Sequence, residues 1–105
     1  MELEMITLNE IDTLQAEKLG ATRVELVSAI QEGGLTPSYG TIKTVLNKAN
    51  IPVQIMIRPH SYRFVYNETD WQIMKEDLLA IKSLGGNRIV FGALSLDGYI
   101  DERLL

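Results

Sequence analysis

The sequence predicts an α/β protein of parallel strand–helix units, four strands long, forming the first half of a (βα)8 barrel. Three observations carry this. Short β-prone runs recur roughly every 20–35 residues, each followed by a helical pattern, an order that implies right-handed crossovers and a parallel sheet. The third run, Pro52-Val-Gln-Ile-Met-Ile57, is almost continuously apolar, as in a strand buried on both faces. Polar and charged residues nevertheless recur at alternate strand positions, on the face that a barrel would turn inward.

The elements follow in order. Residues 3–7 form the first strand, and Asn9 caps a helix over residues 10–19, with Ile11, Leu14 and Leu19 as a partial apolar stripe ended by Gly20. Residues 22–27 form the second strand. After the loop Gln31-Glu-Gly-Gly-Leu-Thr36, Thr36 as N-cap and Pro37 at the first helical position start a helix reaching Lys48, with Ile42, Val45 and Leu46 on one face. Residues 52–57 form the third strand. A loop rich in aromatic and basic residues spans 58–66. Asn67 or Thr69 then caps a helix over residues 70–84, where Ile73, Leu78 and Ile81 recur near helical spacing and Gly85-Gly86 ends the run. Residues 88–92 form the fourth strand, Asp97-Gly98 marks a turn, and Asp101 begins a helix that is cut short.

The whole of 1–105 reads as a single partial-barrel domain, since 105 residues leave no room for two. A net charge of −4, with ten scattered Lys and Arg, argues against a nucleic-acid partner. The chain has no cysteine, which excludes disulfides and thiolate metal sites and suits a reducing compartment. The acidic start and the lack of a long apolar run point to a cytoplasmic protein with no membrane partner. Gly-x-Gly-x-x-Gly and Walker A motifs are absent.

Strand parity groups the candidate site residues. Glu4 and Ile6 share one face, as do Arg23, Glu25 and Val27, and Gln54, Met56 and Arg58; the opposite faces are apolar. Interior charges at Glu4, Glu25 and Arg58 are costly unless they pair or bind something. Two readings stay open: a Glu–Arg pair that only fills the barrel, or a site. In the second, Glu25 is the acid/base, Arg58 an anion clamp at the C-terminal end of its strand, and Glu4 an orienter. Gly33, Gly34, Thr36 and Ser38 belong to a loop at the same end, where a helix start offers backbone N–H groups to a phosphate or carboxylate. His60, the only histidine, is a candidate ligand contact, although a lone loop histidine is more often solvent-exposed. Met5, Met56 and Met74 read as core filler, with only Met56 on the functional face, and Trp71 as packing.

Arg23-Val-Glu-Leu26, Glu32-Gly-Gly-Leu-Thr-Pro-Ser-Tyr-Gly40, Met56-Ile-Arg-Pro59 with Phe64-Val-Tyr66, Val90-Phe-Gly92 and Asp97-Gly98 together resemble the CutC copper-homeostasis family over almost the whole chain. The resemblance implies a TIM-barrel fold, a cytoplasmic location, a role in copper handling with copper as candidate ligand, and Glu4, Glu25 and Arg58 as interior polar positions. Family members often carry cysteine where Ile6 and Val27 stand here, a different loop at His60-Ser-Tyr62, and about twice this length. With no cysteine, no copper ligands are assigned. The expected functions are thus copper homeostasis by direct binding, a barrel enzyme acting on a small anionic substrate, or an inactive half-length fragment. An open half-barrel should also pair, either with its own copy or with a second half.

Overall fold

The computed structural model describes residues 2–62 and 66–90. Its elements alternate: β1 (Glu4–Thr7), α1 (Glu10–Lys18), β2 (Arg23–Leu26), α2 (Tyr39–Lys48), β3 (Val53–Met56), α3 (Glu68–Ser83) and β4 (Ile89–Val90), with a 3-10 turn at Ile30–Glu32. The four strands form one parallel sheet in the order β1-β2-β3-β4. That monotone order, each strand added beside the last, is the order of a barrel segment; an open doubly wound sheet reverses order at its switch point. The end of the fourth predicted strand, the Asp97-Gly98 turn and the Asp101 helix start lie outside the described residues.

The helix-facing side of the sheet is the core. Val24, Leu26, Val53, Ile55 and Ile57 are all buried there with Ile42 and Val45 of α2 and Met74 and Ile81 of α3. At roughly 25 cal/mol per Å² of apolar surface removed from water, this cluster is the main source of stability. Beside it, the buried Thr13 hydroxyl donates to the Asn9 carbonyl (2.9 Å) and shares a hydrogen bond with the Thr7 hydroxyl (3.0 Å between oxygens).

Two apolar stripes are not where helical spacing puts them. In α1 the buried residues are Thr13 and Ala16, while Ile11 is 76% exposed and Leu19 is exposed too. Small side chains at the contact let the helix sit close to the sheet. In α3, Met74 and Ile81 are buried, whereas Ile73 and Leu78 lie on the exposed flanks.

The start of α2 also differs. Its N-cap is Ser38, whose Oγ accepts from Thr41 N (3.2 Å), and Pro37 precedes the helix. Thr36 cannot cap because its hydroxyl is engaged with the end of β3. The α3 cap is Asn67, in a full capping box: Asn67 Oδ1 accepts from Asp70 N (2.8 Å) and Asp70 Oδ2 from Asn67 N (3.0 Å).

Candidate functional site

The loop after β2 is the best-built feature at the C-terminal end of the strands. Ser28 and Leu35 exchange backbone hydrogen bonds (2.9 and 2.8 Å), and Ser28 Oγ donates to the Thr36 carbonyl (3.0 Å). Thr36 in turn clasps Arg58, the second residue after β3. Its Oγ1 accepts from Arg58 N (2.8 Å), and its own N–H donates to the Arg58 carbonyl (3.1 Å).

Arg58, only 8% exposed, folds back beneath this loop. Its Nη1 donates to the carbonyls of Glu32 (2.9 Å) and Gly34 (3.4 Å), and Nη2 reaches the Ser61 carbonyl (3.5 Å). Gly33 makes room for it: a Cβ there would stand 2.8 Å from Arg58 Nη1, and the residue's φ of +89° favours glycine. Gly34, also at positive φ, lies over Val27 and Met56. Val27 is therefore buried under the loop, while Ile6 on the same sheet face stays 57% exposed.

Glu25 and Arg58 make no ion pair. The register sets Glu25 level with Gln54, so Arg58 stands four residues farther along, about 13 Å of strand rise. Glu25 is half-buried on the interior face with no hydrogen-bond or ion-pair partner among the described residues. Burial pushes its carboxyl pKa above the ordinary value, and the nearby Glu4 carboxylate pushes it further. Glu4 is bound to Arg23, whose Nε donates to Glu4 Oε1 (3.1 Å) while Nη1 donates to Glu2 Oε2 (2.7 Å). The three interior charges thus share a face but not a level. Glu4 lies at the N-terminal end, Glu25 in the middle and Arg58 at the C-terminal rim.

His60 is half-buried rather than solvent-exposed. Nδ1 accepts from Tyr62 N (3.3 Å), which leaves the ring proton on Nε2 to donate to Asp70 Oδ2 (3.1 Å). Tyr62 stacks on its ring (4.8 Å between centroids) and Tyr66 packs against it at 5.3 Å. Burial raises the Tyr66 pKa, an effect opposed by the adjacent Arg58. Both His60 nitrogens are thus occupied by the loop and by α3. Residue typing missed Asp70 as the partner, though the Asn67-x-x-Asp70 box is visible in the sequence. Ser38 is engaged as a cap.

Copper fits this donor set poorly. The chain has no cysteine, and among the described residues no three His, Asp or Glu side chains gather into a metal-binding group. Met74 is enclosed in the core. Among the described residues no helix is long and apolar enough to cross a membrane.

Fold and rim together define a parallel (βα) half-barrel with its loops gathered at the strand C-termini. The chain belongs to the CutC family, whose profile matches residues 1–105. A CutC family protein of Mesorhizobium japonicum is 44% identical over 90 residues, 86% of this chain and 35% of the relative. A human protein named copper homeostasis protein cutC homolog is 44% identical over 91 residues, 87% of this chain and 33% of its own. A solved CutC structure from Streptococcus agalactiae superposes with a TM-score of 0.87 at 38% identity, covering 100% of this chain and 54% of that one. The chain thus spans about a third of the length of these curated relatives and about half of the solved chain.

Proposed function

We propose that the protein serves copper homeostasis in the cytoplasm, as one partial-barrel domain over residues 1–105, by handling a small anionic ligand on the interior sheet face. The observation that carries this reading is Glu25. Its carboxyl sits on that face without a partner among the described residues, and burial and Glu4 raise its pKa. A carboxyl of this kind is suited to general acid/base work. Protonated, it donates to a ligand oxygen; ionised, it takes that proton back. Arg58 is not the clamp in this reading, because Nη1 is committed to two backbone carbonyls. It is a positioning residue that holds the 28–36 loop at the rim. The link to copper rests on the names of the relatives, and the donor set favours no direct copper step.

Calorimetric titration with inorganic phosphate and small carboxylic acids, beside a chelator-competition titration with copper(I), tests this. Proton-linked anion binding that disappears in Glu25→Leu while cooperative melting persists is the expected result. One tightly held copper(I) per chain with no anion binding would overturn it, as would anion binding indifferent to Glu25→Leu.

A further inference from the structure

Strand alternation puts a further arginine on the interior face. Ile89 packs against the core, so its neighbours Arg88 and Val90 lie on the opposite side of the sheet. The Arg88 carbonyl accepts from Ile55 N (3.1 Å), which holds its backbone in line with β4. Glu25 is level with Gln54, and the β3–β4 register continued back by one residue sets Arg88 level with Gln54 as well. Glu25, Gln54 and Arg88 thus form one row across three adjacent strands. At about 4.8 Å per strand, Glu25 and Arg88 leave the backbone about 10 Å apart, with a carboxamide between them.

The row is uncommitted. Glu25 and Gln54 are half-buried and Arg88 is exposed, and among the described residues none of the three makes a hydrogen bond or ion pair. The other arginines of this face are engaged: Arg23 holds Glu2 and Glu4, and Arg58 lies beneath the 28–36 loop. Two residues nearer the strand C-termini, half-buried Met56 and Val90 are level with each other and form an apolar ledge over the row.

We infer that Arg88 is the anion-binding residue of the interior face, and that the row takes a small hydroxy acid, its carboxylate on Arg88 and its hydroxyl at Gln54 and Glu25. This rests on the proposed role of Glu25 and supplies the cation that role needs once Arg58 is committed elsewhere. A guanidinium presents paired N–H donors that match the two oxygens of a carboxylate. The Gln54 carboxamide donates and accepts, and the Glu25 carboxyl does either according to its protonation, so a hydroxyl finds partners at the uncharged end. The carbon chain of the acid lies along Met56 and Val90. An acid without the hydroxyl leaves two half-buried polar groups unsatisfied, which makes the site selective.

Calorimetric titration of the purified chain with 3-hydroxypropionate and 4-hydroxybutyrate, beside propionate, butyrate and inorganic phosphate, tests this. The hydroxy acids should bind at least about tenfold more tightly than the plain acids. Arg88→Gln should weaken hydroxy-acid binding at least about tenfold, and Arg88→Lys should recover part of the loss. Because Arg88 is exposed, neither change should move the urea midpoint. Hydroxy-acid binding lost in Glu25→Leu but unchanged in Arg88→Gln would overturn this inference and leave the role of Glu25 standing. So would phosphate as the one anion bound, or plain acids bound as tightly as hydroxy acids. A parent chain that binds none of these anions would overturn both. Equal destabilisation by Glu25→Gln and Arg88→Gln, no greater in the double variant, would show the two charges paired with each other and would also overturn the inference.

Discussion

Replacing Gly33 by alanine should destabilise the fold by more than backbone strain alone. At φ +89° an L-residue pays about 1–2 kcal/mol. The added Cβ would also meet Arg58 Nη1 at 2.8 Å. A guanidinium tip can swing aside, but here it must leave the carbonyls of Glu32 and Gly34, at 2.9 and 3.4 Å, from a nearly buried position. Disturbing a charged hydrogen bond of that kind costs roughly a further 1–3 kcal/mol. The expected total is about 2–5 kcal/mol. Gly20 and Gly85 are natural controls, with φ of +96° and +90° and nothing within 4 Å of a built Cβ. Alanine at either should cost the strain term only. Urea unfolding at one fixed protein concentration, followed by the fluorescence of the single tryptophan, Trp71, measures all three. If Gly33→Ala costs no more than Gly20→Ala, Arg58 is not wedged under the loop and the rim described here is wrong.

Glu25 should make stability fall with rising pH. Its folded pKa is raised, so the folded chain holds a proton that the unfolded chain releases, and the cost is fully present above the folded value and relieved below it. Glu25→Gln should therefore stabilise at neutral pH, with little effect in acid below the ordinary carboxylate range; equal effects at both ends in paired melting curves would contradict this. Asp77, also raised by burial, should give the same sign on change to Asn. Asp70→Ala removes the acceptor of the Asn67 N–H in the α3 capping box and the His60 contact, and should cost about 1–2 kcal/mol in urea unfolding; an unchanged midpoint would show that the Asp70 carboxylate is idle. Copper(I) should be held weakly, and a single tight ion lost on Met56→Ala in a chelator competition would count against that.

Local chemistry was enough for much of the architecture. Glycine after α1, the nearly continuous apolar run of β3 and the Asn67-x-x-Asp70 box each act within a few residues, so they are legible in one dimension. Strand parity likewise sorted Val24, Leu26, Val53 and Ile55 from Glu4, Glu25 and Gln54 correctly. The α2 cap was misplaced because Thr36 and Ser38 are equally good caps in isolation. Only the arrival of Arg58, 22 positions later, takes the Thr36 hydroxyl away from the helix. The apolar stripes of α1 and α3 misled for a similar reason: periodicity identifies a face, but the neighbour decides which face is covered. Which charges meet was also beyond the sequence. Parity puts Glu4, Glu25 and Arg58 on one face, but inter-strand register sets their levels. That register gave Glu4 to Arg23, left Glu25 without a partner among the described residues, and turned Arg58 into the anchor of a loop in which Gly33 makes room for it.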